Sequence, residues 1–314
     1  MENLILVGVG PMAVAYAEVL IALNQPFIAV GRGEQSAKEF EKKTKVKPIL
    51  GGLAQFLDTN QIANNTRAII ATGTEVLMSS LLMLTKKGVS KILIEKPAAI
   101  SIEELLDNES QLSRYSENIF VAYNRRFYAS VIEAQRLIKE DDGILSMHFE
   151  FTEWAHKIEP LEKAKGVKEN WFFANSTHVV DLAFYLSGKP KDWSAFSKKG
   201  DIKWHEKTNF SGAGITEKGV IFSYLSNWES AGRWSIELLT KNRRIYLKPL
   251  EGLMTQQKGS VEVVNHEFDL GFDISYKPGL FHQVEAFYND EQARLVPLAE
   301  HIDNSKHVYK VIID

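Results

Sequence analysis

Residues 4–17 read LILVGVGPMAVAYA, an apolar run that breaks into glycines and resumes as a helical pattern. Gly8, Gly10 and Ala13 fit the spacing G-x-G-x-x-A directly between a strand and a helix. This constrains the fold more than any other stretch. In such a unit the first glycine permits a tight turn, the second lets a pyrophosphate approach the backbone, and the small third residue packs helix on strand. The helix N-terminus then offers unpaired N–H groups to phosphate oxygens. Alone the pattern is weak, and a glycine-rich turn without a ligand is the alternative reading. Here it opens a strand–helix series, which strengthens it. Gly8, Gly10, Pro11 and Met12 are therefore expected to form a phosphate-binding turn.

The series continues to about residue 125, with strands expected at 4–8, 27–31, 67–72, 91–95 and 118–123. Helices are expected near 12–23, 34–44, 75–87 and 102–114, and 49–57 reads as a turn with a short helix. The strands show little alternation, as in a parallel sheet covered on both faces. After Arg126 the texture changes. A helix near 127–139 leads into alternating, aromatic-rich runs at 145–154, 192–197, 219–228, 234–240, 243–249 and 261–268, which read as antiparallel strands. Among them STHVVDLAFYLSG, 176–188, reads as a helix with Ser176 as N-cap and Gly188 as stop. More helix is expected near 278–289 and at the C-terminal end, and DDG at 141–143 reads as a turn. The expected fold class is α/β: a dinucleotide-binding domain over residues 1–124, then an α+β domain over 125–314 built on a mainly antiparallel sheet.

Composition narrows the function. The 314 residues suggest two domains, and 45% hydrophobic with 25% charged residues is ordinary for a globular protein. A net charge of −3 with scattered basic pairs argues against a nucleic-acid partner. Cysteine is absent, which excludes disulfides, thiolate nucleophiles and Cys-ligated metal. No run reaches the roughly 18 apolar residues of a membrane span, and the first residues lack a signal-peptide pattern. A cytoplasmic protein without membrane or metal is expected. No H-E-x-x-H, carboxylate cluster or G-x-S-x-G supports metal-dependent hydrolysis or serine esterase chemistry.

Cofactor choice should be read where the second strand ends. An NAD site usually places an acid there for the ribose 2′-OH. This chain has Gly31 and Arg32, with Glu34 too late to replace the acid, so the 2′-phosphate of NADP is favoured over NAD. Ser36 is a further donor. Thr72, Gly73, Glu95 and Lys96 close the next strands at the edge where ligands sit in open α/β sheets. Pro97 holds Lys96 extended. A lysine over a nicotinamide can stabilise a developing alkoxide or pass a proton.

Four stretches, GVGPMA (8–13), IEKPAA (94–99), YNRRF (123–127) and STHVVDLAFYLSG (176–188), keep an order and spacing over most of the chain that resembles the glucose–fructose oxidoreductase, inositol dehydrogenase and MocA family. The resemblance implies a Rossmann domain, a substrate domain with an open-faced antiparallel sheet, and NAD(P)-linked oxidation or reduction of a sugar. The substrate class extends to nucleotide-linked or acidic sugars. It assigns the role of reaching cofactor and substrate to Lys96, whose bond to Pro97 is often cis in such proteins. His178 takes the second catalytic position. Read from the residues, it lies in the first turn of its helix, where the dipole disfavours protonation. The family commonly has Asp four residues earlier; this chain has Ala174, which removes the carboxylate expected to orient His178. Asp181 reads as a helix charge. Tyr123, Asn124, Asn175 and Thr177 are candidate substrate contacts, Trp154 and Trp171 candidate stacking partners, and Arg125 and Arg126 candidate salt-bridge residues. His148 and His205 carry no assigned role.

Two other classes remain at this stage: a regulatory dinucleotide-binding protein, and an enzyme that retains NAD(P) for sugar chemistry without net redox change. A homodimer or homotetramer is expected, because strands such as GVIFSYLSNW and WSIELLT present a face that no helix covers.

Overall fold

The computed structural model describes residues 4–314. The chain forms two compact units: residues up to 123 together with 280–304, and 124–279 together with 305–314. A single boundary at 124/125 therefore describes the outward path but not the return. Residues 280–304 leave the second unit and pack back on the first.

The first unit is built on β1 (Leu4–Val7), β2 (Ile28–Val30), β3 (Arg67–Ile70), β4 (Lys91–Ile94) and β5 (Ile119–Val121). These are parallel, in the order β5-β4-β3-β1-β2. A lone parallel bridge from Val30 to Ile49 lies beyond β2. It stands where a doubly wound sheet has its third strand, reduced here to one residue pair. β1 and β4 are buried along their whole length, which explains their unbroken apolar sequence. Helix Pro11–Ala22 packs Ala13, Tyr16, Ala17, Val19 and Leu20 inward. Its proline at the first position loses only an N–H that the helix would leave unpaired.

Two cations at the starts of β3 and β4 hold the returning segment. Lys91 Nζ donates to the Phe287 carbonyl at 2.7 Å and pairs with Asp290 Oδ1 at 2.7 Å, between the rings of Phe120 and Phe287. Arg67 donates to the Tyr288 carbonyl and pairs with Asp290 at 3.1 Å. A short strand, Val296–Pro297, then joins the free edge of β5 antiparallel.

The second unit carries an eight-stranded sheet: β6 (Ile144–Glu150), β7 (Pro190–Lys198), β8 (Asn209–Thr216), β9 (Ile221–Asn227), β10 (Ser235–Thr240), β11 (Arg243–Leu247), β12 (Met254–Gln257) and β13 (Val264–Asn265). The order is β13-β12-β11-β10-β6-β9-β8-β7, antiparallel except for the β6–β9 pair. Helix Thr177–Ser187 covers one face, setting its Phe184 ring on Phe149 and Phe222, with Phe149 stacked on Tyr224. β8 is absent from the sequence-based expectation because Gly212 and Gly214 lower its strand signal. Both glycines answer aromatic neighbours. A Cβ on Gly212 would stand 2.4 Å from the Tyr224 ring, and one on Gly214 2.2 Å from Trp193 Cβ. The strand expected over 261–268 shrinks to Val264–Asn265, and its partner Met254–Gln257 is new.

The helix expected to begin at Ser176 begins earlier. A π-helical turn, Phe172–Ser176, runs directly into Thr177–Ser187. Ser176 has helical angles, φ −67° and ψ −24°, and its hydroxyl donates to Glu153 instead of capping. His178 is therefore not a first-turn residue, and the dipole argument for its neutrality falls, since that effect fades beyond the first turn. Gly188 ends the helix as expected, at φ 91°.

Candidate functional site

A cavity of about 680 Å³ opens in the first unit where β1, β2 and β3 end. Gly8, Gly10, Pro11, Met12, Gly31, Arg32, Ser36, Thr72 and Gly73 all line it. Gly8 is required by the fold: its φ is +119°, and a Cβ would stand 2.3 Å from the Ala71 carbonyl oxygen. Gly10 is different. A Cβ there would meet nothing within 4 Å, so packing within the chain does not demand glycine. Gly10 precedes helix Pro11–Ala22 and supplies no side-chain cap. Open space thus lies before a helix end whose first N–H groups lack intrahelical partners. Thr72 Oγ1 is buried without a hydrogen-bond partner. An open cradle and an orphaned hydroxyl in one cavity fit the phosphates and ribose of a dinucleotide.

Arg32 and Ser36 are exposed at the cavity's rim. Arg32 has no ion-pair partner among the described residues, which leaves its guanidinium available to an anion. Gly51 and Gly52, from the turn expected within 49–57, form the adjoining wall.

Glu95 and Lys96 stand at the end of β4 and do not line this cavity. Glu95 Oε1 accepts from the Tyr16 hydroxyl at 2.7 Å. Burial and the Glu95 charge push the Tyr16 pKa well above its ordinary value, so it stays a donor. The Lys96–Pro97 bond is cis, and the Ala98 N–H closes the turn on the Glu95 carbonyl at 3.0 Å. His301, from the returning segment, donates Nε2–H to the Pro97 carbonyl at 2.9 Å. A carbonyl can only accept, so the proton sits on Nε2 and Nδ1 faces the Tyr123 hydroxyl at 3.5 Å. Tyr123 is buried behind this turn rather than placed at a ligand surface.

In the second unit, His178 is buried, with its ring 6.2 Å from that of Trp234. Position 174 is a buried alanine, as the sequence has it, and the nearby carboxylate is Glu153, which enters from the chain after β6. Glu153 is 1% exposed and accepts from Asn175 Nδ2 at 2.9 Å and Ser176 Oγ at 2.8 Å. Its other oxygen faces Arg233 at 3.4 Å. Burial raises the Glu153 pKa above the usual carboxylate value, against these hydrogen bonds and the arginine's charge. Asn175 is thus committed to Glu153. Thr177 is buried and donates to the Phe173 carbonyl at 2.9 Å, and the buried Asn124 donates to the Pro278 carbonyl at 2.9 Å. Neither offers a side chain to a ligand, contrary to expectation. Trp154 is exposed, but its ring carries the Arg233 guanidinium at 4.8 Å. Asp181 is no solvated helix charge; it is buried and binds Arg126 through two hydrogen bonds of 2.8 and 2.6 Å. Glu153, Arg233 and Trp234 escape sequence reading, since they converge from segments about 80 positions apart. His148 bonds Ser223, and His205 packs on Trp228. Among the described residues no group of three or more metal-ligating side chains occurs, and no helix is long and apolar enough to cross a membrane.

No protein-family model and no curated protein sequence matches the chain. Solved structures do. An oxidoreductase from Agrobacterium radiobacter in complex with NAD+, L-tartaric acid and magnesium superposes with TM-score 0.74 at 13% identity, over 99% of this chain and 96% of that one. Levoglucosan dehydrogenase in complex with NADH and levoglucosan gives TM-score 0.74 at 16% identity, over 99% and 95%. An oxidoreductase from Thermotoga maritima gives 0.73 at 15%, over 98% and 95%. The likeness spans both units and establishes the fold: a Rossmann-type parallel sheet followed by an α+β unit on a mainly antiparallel sheet.

Proposed function

We propose that the protein is a cytoplasmic NAD(P)-dependent oxidoreductase acting on a hydroxyl-bearing carbon of a sugar or sugar derivative, with NADP preferred. The observation that carries the reading is the cavity at Gly10, open before a helix N-terminus and flanked by the orphaned Thr72 hydroxyl. Gly8, Gly10, Pro11 and Met12 would hold the pyrophosphate, Thr72 and Gly73 the neighbouring ribose, and Arg32 with Ser36 the 2′-phosphate. The similar structures support it, since levoglucosan dehydrogenase was solved with NADH and a sugar, and the Agrobacterium protein with NAD+ and a hydroxy acid.

The nicotinamide supplies or accepts the hydride when bound. In the oxidising direction Lys96 stabilises the substrate oxygen as its C–H bond gives up hydride, and His178 takes the hydroxyl proton, leaving a carbonyl. Glu153 holds Asn175 and Ser176, three and two residues before His178, and so fixes the stretch that carries it. The test is direct: purified protein with NADP+ and a panel of sugars, followed by the absorbance of the reduced nicotinamide. Failure to bind either dinucleotide would end the reading. Binding without turnover on any sugar or sugar acid would favour a regulatory protein.

A further inference from the structure

The second unit holds a half-buried cation, Arg125, with no carboxylate in ion-pair range among the described residues. The Arg125 guanidinium lies 4.7 Å from the Trp234 ring centroid and 5.8 Å from that of Tyr128. Its Nε is buried and has no hydrogen-bond partner. Its Nη1 reaches Asn124 Oδ1 only at 3.5 Å, the limit of a hydrogen bond. Among the described residues no carboxylate comes within the 4.0 Å of an ion pair; Glu251 and Glu153 act on it from farther off. Burial pulls its pKa down from the ordinary arginine value. A second guanidinium, Arg233, sits 4.7 Å from the same Trp234 ring and is 43% exposed along its side chain. It shares Glu153, at 3.4 Å, with Asn175 and Ser176.

Two arginines thus gather on one indole, beside the ring of His178, with one carboxylate already engaged by two other donors. The rings of Trp234 and Tyr128 stabilise this guanidinium in part, but its buried Nε remains without an acceptor, which is costly. An oxyanion from outside removes that cost. The planar fork of arginine matches carboxylate and phosphate oxygens two at a time, and stacking on an aromatic ring fixes the fork's plane.

We propose that the substrate carries an oxyanion, a carboxylate or a phosphate ester, which docks on Arg125 with Arg233 beside it. This rests on the oxidoreductase reading for the word substrate but not for the site. The experiment is calorimetric titration of the NADP+-loaded protein with glucuronate, glucose 6-phosphate and glucose. One anionic probe should bind at least tenfold more tightly than glucose. Arg125→Gln should weaken that probe roughly ten- to hundredfold while leaving NADP+ affinity unchanged. Binding of glucuronate alone assigns a carboxylate, and of glucose 6-phosphate alone a phosphate ester. If Arg125→Gln fails to fold, Arg125→Lys, which keeps the charge and loses the fork, must still lower the anion's affinity. Glucose binding as tightly as both anions, neither anion binding, or anion affinity unmoved by either variant overturns the proposal. Anion binding that depends on Arg125 without any hydride transfer would keep the site and sink the oxidoreductase reading. Undiminished turnover of a neutral sugar by Arg125→Gln would do the reverse.

Discussion

Arg32 runs its stem across the bare backbone of Gly52: a Cβ on that glycine would stand 2.6 Å from Arg32 Cγ. Gly52 also has φ +79°, a conformation that costs an L-residue about 1–2 kcal/mol. Gly52 therefore serves the arginine as well as the turn. NADPH should bind more tightly than NADH, and Arg32→Ala should weaken NADPH roughly ten- to hundredfold with little change for NADH. Fluorescence titration of both cofactors checks this. Equal affinity in the intact protein refutes the assignment of Arg32.

Gly52→Ala should act on the same preference from the other side. It adds backbone strain of about 1–2 kcal/mol and displaces the arginine stem. The expected outcome is a lower melting temperature together with a reduced NADPH-over-NADH ratio. A variant that loses stability but keeps the full ratio shows that the arginine's position does not depend on Gly52.

Lys96 is held by a turn that Pro97, Ala98 and His301 all fasten. If its ammonium stabilises a developing alkoxide, Lys96→Met should cut the chemical step by about 10² to 10³, with folding and cofactor affinity nearly intact. His178→Asn should lower the rate and flatten its dependence on pH near neutrality, since positioned acid–base groups contribute about 10² to 10⁴. Single-turnover rates on an active substrate decide both. A Lys96→Met protein with an unchanged rate ends the catalytic reading.

What could be read from the chain was what depends on near neighbours. β1, its glycines and the following helix are specified within twenty residues, and the structure places all of them around one cavity. The open cradle at Gly10 and the strained turn at Gly8 follow from the same few positions. Ser176 misled because a serine before an apolar helix is the ordinary cap, whereas here Glu153 takes its hydroxyl. Glu153, Arg233 and Trp234 have no local signature; their meeting depends on how β6, β9 and β10 pair. The return of 280–304 was hidden for the same reason, since Lys91 and Asp290 are 199 positions apart. β8 was lost to glycines whose purpose lies on neighbouring strands.

Asp141 shows how much a turn residue can hold. Its buried carboxylate accepts from Thr240 at 2.6 Å and Asn242 at 2.9 Å, and pairs with Arg243 at 2.8 Å. Burial acts to raise its pKa, but the three hydrogen bonds and the Arg243 charge outweigh it and hold the value below that of an ordinary aspartate. A pKa lowered by folding gives stability that is complete above the unfolded value of about 3.9 and is lost as pH falls through the lower folded value. Asp141→Asn should cost about 3 kcal/mol near neutral pH, as when one partner of a buried pair is removed, and the difference should shrink in acid. All six tryptophans, from Trp154 to Trp234, lie in the second unit, so their fluorescence in urea reports on that unit alone. A difference between variant and parent that stays constant into acid contradicts the assignment.

The open face of the second sheet carries the last prediction. Alternate residues of a strand share a face. On β7, β8 and β9 the outward positions include Phe196, Ile215, Ile221 and Leu225, at 71%, 38%, 63% and 50% exposure. The register sets Ser211 between Phe196 and Leu225, while Ile215 and Ile221 lie directly opposite each other. No charged side chain occupies the outward positions of β8 or β9. We propose that this face pairs with a second copy of the chain. On β7 that face also carries Asp192 and Lys198, one charge of each sign toward opposite ends of the strand, so a symmetric contact can set unlike charges against each other around the apolar middle. A stable interface needs about 1,000 Å² in total, within reach of three strands of seven to nine residues. Sedimentation at micromolar concentration should show a dimer or tetramer. The double substitution Phe196→Glu with Leu225→Glu should release folded monomers, judged by an unchanged circular dichroism spectrum. An intact protein that sediments as a stable monomer contradicts the pairing, and a variant that stays associated moves the contact to another surface.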